Sequence, residues 1–199
     1  MCNVWDTIFV ASSRFLKIEL TKSVLLKGGA AMRTQWVPQG EIVHVLAALQ
    51  PKNRLACEIS LATGLRINDV LALKPDQIKK QRFTVREEKT GKTRSIYLPK
   101  ELQDRAFACS GKHFVFEGRC NGKNHRTRQA VFKDLKRVAK LFGIKENVAP
   151  HSLRKIYAVE EYAKHGNLKR VQKLLNHSSE AVTQIYAFAN VIDKRKHFR

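Results

Sequence analysis

From Pro38 onward, hydrophobic positions recur with two different periods, and each change of period marks an element. In "PQGEIVHVLAAL" (38–49), Ile42, Val45, Leu46 and Leu49 fall on one helical stripe, with Pro38 near its start. "NRLACEISLATGL" (53–65) repeats that spacing and stops at Gly64, a predicted C-cap. "INDVLALKPDQI" (67–78) predicts a short helix ended by Lys74-Pro75. The period then drops to two. "RFTVREEKTGKTRSIYLP" (82–99) alternates around a Thr90-Gly91 turn and predicts a β-hairpin. A helix over about Lys100 to Cys109 and a short strand "HFVF" (113–116) come next. After a Gly- and Asn-rich loop, Thr127 is placed to cap an amphipathic helix ending at Gly143. The last third reads as helical: His151 to about Lys164, a break at "HGN", Leu168 to Leu175, and a helix reaching Tyr186.

This pattern predicts a mixed α/β fold, mainly helical, with one small antiparallel sheet. Residues 38–199 read as one domain and residues 1–37 as a poorly defined N-terminal segment, with ragged periodicity and no clear cap. "KGGAAM" (27–32) is compatible with a coding stretch that holds a ribosome-binding sequence ahead of an ATG. Met32 is therefore a candidate start, beside the plainer reading of an ordinary N-terminal segment; an intact mass that includes Met1 would decide for the latter.

Charge narrows the picture. The 38 Lys+Arg against 17 Asp+Glu give +21, with a sequence pI near 10.2, the basic residues spread from Arg14 and Lys17 to Arg199 and not gathered in a tail. A polyanionic partner is expected, nucleic acid first and an anionic membrane second. The 43% hydrophobic content is enough for a core. No apolar run is long enough to span a membrane, and Cys2, Cys57, Cys109 and Cys120 form no disulfide framework, which fits a reduced, cytoplasmic setting.

Candidate chemistry begins at "HSLRK" (151–155). His151 and Arg154 are three apart, hence neighbours on a helix turn, and Pro150 places them near a helix start where backbone N–H groups attract anions. Two cations there point to a phosphate.

"ATGLRINDVLALKPDQI" (62–78), "HSLRK" and "LLNHSSEAVTQIYAF" (174–188) together resemble the three signatures of the tyrosine recombinases, the phage integrases and their relatives. The resemblance runs from about Gln39 to Ala189 and implies that family's catalytic-domain fold. Carried over position by position, it implies Arg66, Lys89, His151, Arg154, His177 and Tyr186 as catalytic residues, with Asp69 as a supporting carboxylate. The nine positions from His177 to Tyr186 match the family's spacing. Lys92 competes with Lys89 in "EKTGKTR"; the place before the turn glycine favours Lys89.

The implied chemistry accounts for these residue types. A tyrosine hydroxyl attacking a DNA phosphodiester builds negative charge on the non-bridging oxygens, which the forked guanidinium groups of Arg66 and Arg154 suit, with His177 as a further donor. Lys89, on a turn that can swing, would protonate the departing 5′-oxygen, and His151 would accept or relay the Tyr186 proton. The product is a 3′-phosphotyrosine bond. Neither metal nor nucleotide is implied, so no cofactor is expected.

Further contacts to double-stranded DNA are expected from Lys92, Arg94, Arg119, Lys123, Arg126 and Lys155. Cys109, His113, Cys120 and His125 are vaguely zinc-like in spacing but lack a compact Cys-x-x-Cys knuckle. Tyr157 and Tyr162 read as core or groove residues, and Tyr97 as packing. Asn176 stands where the family usually has glycine, and Lys155 where it commonly has His or Arg.

Family members act as homo-tetramers on paired sites, weakly associated or monomeric without DNA. Most carry a separate helical clamp domain, for which residues 1–37 are too few, so weaker and more salt-sensitive binding is expected. The fimbrial phase-variation recombinases resemble the chain in small size. Alternatives are a truncated integrase that binds without cutting, a type IB topoisomerase, and a basic RNA-binding protein; the last does not explain the ordered signatures.

Overall fold

Pro51 opens the helix around which the domain is built. The computed structural model describes residues 39–119, 122–144 and 147–175. Helix α1 (Gln39–Ala47) leads into α2 (Pro51–Thr63), which Pro51 starts at a position where its missing N–H costs nothing. Gly64 ends α2 in the left-handed region (φ 66°), its N–H donating to Ser60 O at 2.9 Å. Leu55, Ala56, Cys57, Ile59 and Leu61 are all buried, because α2 packs against α1 and four later helices.

A helix enclosed on so many sides must satisfy its polar side chains internally. Asn53 donates to Asp134 (2.7 Å), and the Glu58 carboxylate pairs with Arg54 (2.7 Å) and Arg105 (2.6 Å). Asp134 also accepts the Gln50 N–H at 3.0 Å, so one carboxylate ties the start of α2 to a helix more than 80 residues later. Burial by itself would raise the Asp134 carboxyl, but Asn53, Arg137 and the Gln50 N–H outweigh it and hold the group below its ordinary value.

The short α3 (Ile67–Leu71) and a 3₁₀ turn (Gln77–Lys79) lead to the hairpin, β1 (Arg82–Arg86) and β2 (Thr93–Tyr97). Its antiparallel register runs from Arg82 opposite Tyr97 to Arg86 opposite Thr93. Then follow α4 (Lys100–Cys109), α5 (Arg128–Leu141), α6 (Pro150–His165) and α7 (Leu168–Leu175). Thr127 caps α5 by accepting the Ala130 N–H at 3.2 Å, and Gly166 (φ 62°) closes α6. Tyr157 and Tyr162 of α6 pack beside a small cluster of Ala158, Val171 and Leu175 that joins α6 to α7.

Two expectations need correction. "HFVF" forms no strand: the His113 N–H goes to the Glu117 carboxylate (2.8 Å) and the Val115 N–H to Leu73 O (2.8 Å), so no ladder can run through it. Val115 and Phe116 instead plug the core, both 0% exposed, leaving an isolated bridge between Glu117 and His125. Tyr97 does not pack inward. It is 52% exposed, with the Arg82 guanidinium 5.5 Å from its ring centroid.

Candidate active site

The turn after α2 is where the signatures meet. Thr63 Oγ1 donates to Ile59 O (2.6 Å) and accepts the Leu65 N–H (3.3 Å), while Ser60 Oγ donates to Leu65 O (2.8 Å). These bonds fix a reversal that Gly64 alone can make, since a Cβ there would lie 2.4 Å from Tyr157 Cδ1 of α6. The reversal turns the Thr63 and Gly64 carbonyls outward from α2 and places Arg66 at the N-cap of α3.

Those carbonyls seat two arginines from elsewhere in the chain. Arg154, the largest fully buried side chain among the described residues, donates from Nη1 to Gly64 O at 2.7 Å and from Nη2 to Leu175 O. It thus joins the first signature to the start of the third. Arg94 donates to Thr63 O at 2.8 Å and lies 3.5 Å from both Gly64 O and Glu87 Oε1. Desolvation, with Arg66 nearby, lowers the Arg154 guanidinium to about 10, still ionised at neutral pH; Glu87 and Asp69 oppose that fall.

Arg66 is held from the hairpin side. Its Nη1 lies 2.6 Å from Oε2 of Glu87, whose side chain is fully buried and also accepts the Thr90 hydroxyl at 2.8 Å. Burial would raise the Glu87 carboxyl, but Thr90, Arg66 and the charge of Arg154 hold it below its ordinary value. Asp69, one helical turn past Arg66, accepts the Glu88 N–H at 2.9 Å. Burial raises the Asp69 carboxyl, and neighbouring Glu87 pushes the same way.

The hairpin turn is therefore pinned at its base. Glu87 exchanges backbone bonds with Lys92 (2.9 Å) and Gly91 (2.8 Å), Gly91 adopts φ 66°, and the side chains of Glu88, Lys89 and Lys92 are exposed at the turn.

His151 lies at the second position of α6, where the Ser152 hydroxyl accepts the Ala149 N–H (3.2 Å) in place of a side-chain N-cap. Its pKa is lowered to about 4, by desolvation and then by Lys155, Arg154, Arg66 and Lys89. The residue is open to solvent on its outer side. Water screens part of the desolvation, and the surrounding cations fix the direction. His151 and Arg154 share a helix turn, yet one sits at the rim and the other is sunk beneath it.

The structure thus brings Arg66, Arg154, Asp69, Lys89 and His151 into one electrostatic neighbourhood. His177 and Tyr186 lie outside the described residues, as does Asn176. Of the expected DNA contacts, Lys92, Arg119 and Lys123 are exposed and Lys155 is half-buried. Arg126 is tied to α2 through Asn53 (2.5 Å) and Gln50 (3.0 Å). Arg94 is not on the surface at all: at 8% exposed, it belongs to the foundation of the turn. Glu87 and Arg94 carry structural roles that motif reading passed over. Strand parity held the signal, since Arg94 shares a face with buried Ile96, and Glu87, just past β1, lies two positions from buried Val85.

Among the described residues, no group of three or more His, Cys, Asp or Glu side chains is arranged to hold a metal. Cys109 donates to Ala106 O and Val115 O, and burial raises its thiol, so it remains protonated; the His125 ring bonds Arg126 O at 2.8 Å; Cys120 lies outside the described residues.

Residues 35–191 match the model of the phage integrase family. The chain is 32% identical over 171 residues to a tyrosine recombinase of Thermosipho africanus, covering 81% of this chain and 59% of that one. It is 30% identical over 167 residues to tyrosine recombinase XerA of Thermococcus kodakarensis, covering 78% and 58%. The chain thus spans just under three-fifths of these relatives' length.

Among solved structures, XerA recombinase superposes with a TM-score of 0.64 at 21% identity, over 83% of this chain and 66% of that one. A lambda integrase dimer bound to a COC′ core site gives 0.64 at 22%, over 81% and 49%. The fold is that of a tyrosine recombinase catalytic domain, mainly helical with one small antiparallel sheet. The chain belongs to the phage integrase family, the tyrosine recombinases.

Proposed function

We propose that the chain carries out site-specific DNA recombination by cutting and rejoining strands through a 3′-phosphotyrosine intermediate on Tyr186. Residues 38–199 form the catalytic domain, and residues 1–37 a separate segment. The observation that carries the reading is the convergence of Arg66 and Arg154, from signatures 88 positions apart, on the two sides of one turn. Glu87 and the Gly64 carbonyl hold both guanidiniums before any substrate arrives, so little reorganisation is needed when charge builds on a phosphate. Each such donor supplies about 3–4 kcal/mol of barrier lowering.

In the step itself the Tyr186 oxygen bonds to phosphorus, the bond to the 5′-oxygen breaks, and that oxygen takes a proton from the Lys89 ammonium. His151, neutral at pH 7, relays the tyrosine proton, and His177 adds a donor to the phosphate. The chemistry calls on no metal or nucleotide, because the guanidiniums supply the positive charge. Lys92, Arg119, Lys123 and Lys155 contact the backbone of double-stranded DNA, with Arg126 at the edge of that surface. Assembly is a homo-tetramer on paired sites. The setting is the cytoplasm of a prokaryote or of a phage-infected cell.

The test is covalent trapping. The protein and its Tyr186→Phe variant are incubated in EDTA with nicked DNA from the chain's genomic neighbourhood, and SDS-resistant adducts are digested and mapped. An adduct on Tyr186, absent from the variant, is expected. DNA binding without an adduct would convert the reading to an occupier of sites, and an adduct on another tyrosine would overturn the assignment.

A further inference from the structure

Buried carboxylates beneath a cationic site ordinarily weaken it, so Glu87 needs a reason. Its side chain is fully buried, and both of its oxygens are engaged. Oε2 accepts from Arg66 Nη1 (2.6 Å) and from the Thr90 hydroxyl (2.8 Å); Oε1 faces Arg94 Nη1 at 3.5 Å. Its backbone closes the hairpin turn at both ends, its N–H donating to Lys92 O and its carbonyl accepting from Gly91. One residue therefore holds the guanidinium of the first signature and, through residue 90, the turn on which Lys89 is carried.

Resting on the proposed function, we infer that Glu87 is a positioning residue that couples Arg66 to the Lys89 turn, so that the phosphate clamp and the proton donor are set by one buried carboxylate. Distance and chemistry argue for coupling over simple charge balance. A carboxylate can accept on both oxygens at once, which is what Arg66, Thr90 and Arg94 require. An amide of the same size presents a donor on one side, and that donor would face a guanidinium. Arg94 already balances part of the charge from below, anchored on Thr63 O at 2.8 Å, so Arg66 and the turn are the partners left to be aligned.

Lys89 enters the chemistry only at loss of the leaving group. A 5′-bridging sulfur departs as a thiolate, and with a thiol pKa of about 8.5 it needs no proton. Glu87→Gln is expected to slow covalent-adduct formation on ordinary nicked DNA by about ten- to a hundredfold, part of what a general acid supplies. Much of that deficit should vanish on DNA with sulfur at the 5′-bridging position. Thr90→Val, which keeps the charge and removes the hydroxyl that links Glu87 and the Lys92 N–H, should show the same substrate dependence with a smaller deficit. Hydrogen exchange at the Gly91 amide should quicken in both variants, and that readout requires no cleavage.

A wild-type protein that cleaves, beside variants with no deficit or with equal deficits on both substrates, would overturn the role of Glu87 while leaving the recombinase reading intact. Unchanged Gly91 exchange in Glu87→Gln would overturn the coupling by itself. A wild type that forms no adduct on either DNA would overturn the recombinase reading instead.

Discussion

Replacing Gly64 by alanine tests whether the turn joining the signatures is as constrained as the structure shows. Two costs arise. The first is backbone strain, because residue 64 holds φ 66°, where an L side chain costs about 1–2 kcal/mol. The second is steric: the new Cβ would lie 2.4 and 2.5 Å from Cδ1 and Cε1 of Tyr157 and 3.1 Å from a Leu175 methyl. Those ring atoms are not a free side-chain end, since Tyr157 is packed between α6 and α7, so overpacking adds about 1–3 kcal/mol.

The sum is a loss of about 2–5 kcal/mol, read in urea titrations as a lower midpoint at unchanged slope. At this chain length that corresponds to a fall in Tm of about 4–20 °C. Adding Tyr157→Ala removes the clash but not the strain. The double variant should therefore lose less stability than the sum of the two single ones, with a coupling of at least about 1 kcal/mol. Full additivity, or a Gly64→Ala cost below about 0.5 kcal/mol, would refute the close approach of α6 to this turn.

The other expectations follow from charge. His151 should titrate in the free protein near 4, seen by NMR as an imidazole still neutral at pH 6; replacing Lys155 by methionine should move that titration upward. Because the unfolded chain takes up a proton at about 6.5 and the folded one does not, stability should fall as pH drops from there towards 4. Arg94→Met should cost about 1–3 kcal/mol of stability, since Thr63 O and Glu87 lose a donor, and leave the salt dependence of DNA binding unchanged. Lys123→Ala or Arg119→Ala should do the reverse, weakening binding evenly across sequences and lowering the salt slope by about 1 each.

Much of this was legible in the sequence, for local reasons. Thr127 as a cap, Gly64 as a helix stop, the Thr90-Gly91 hairpin and the Lys100–Cys109 helix depend on few residues, and each stands where the pattern put it. "HFVF" misled because its apolar content is core material, while its backbone N–H groups go to Glu117 and Leu73, partners that no periodicity reveals. The arginines show the same limit. A basic residue in a strand reads as surface, and only its parity with Ile96 shows that Arg94 points inward.

Glu87 was harder to find, because its meaning depends on Arg66, 21 positions earlier, arriving at the same place. The signatures said which residues belong together. They did not say that Arg154 would be sunk and His151 left at the rim, which is a matter of how far α6 enters the groove beside α2.

The central claim is that Arg66 and Arg154 neutralise a single phosphate. Arg66 is the probe of choice, since removing the buried Arg154 would take a donor from both the Gly64 and Leu175 carbonyls, whereas Glu87 without Arg66 keeps Thr90 and Arg94 as partners. Adduct formation by Arg66→Ala would be compared on DNA with an ordinary scissile phosphate and on DNA with a neutral methylphosphonate at the same position. If the guanidinium is there to meet charge, the variant should lose about 10²–10³-fold on the phosphate and recover to within about tenfold of wild type on the methylphosphonate. An equal loss on both substrates would contradict the clamp, because Arg66 would then be serving the fold or the binding of DNA and not the charge of the reacting group.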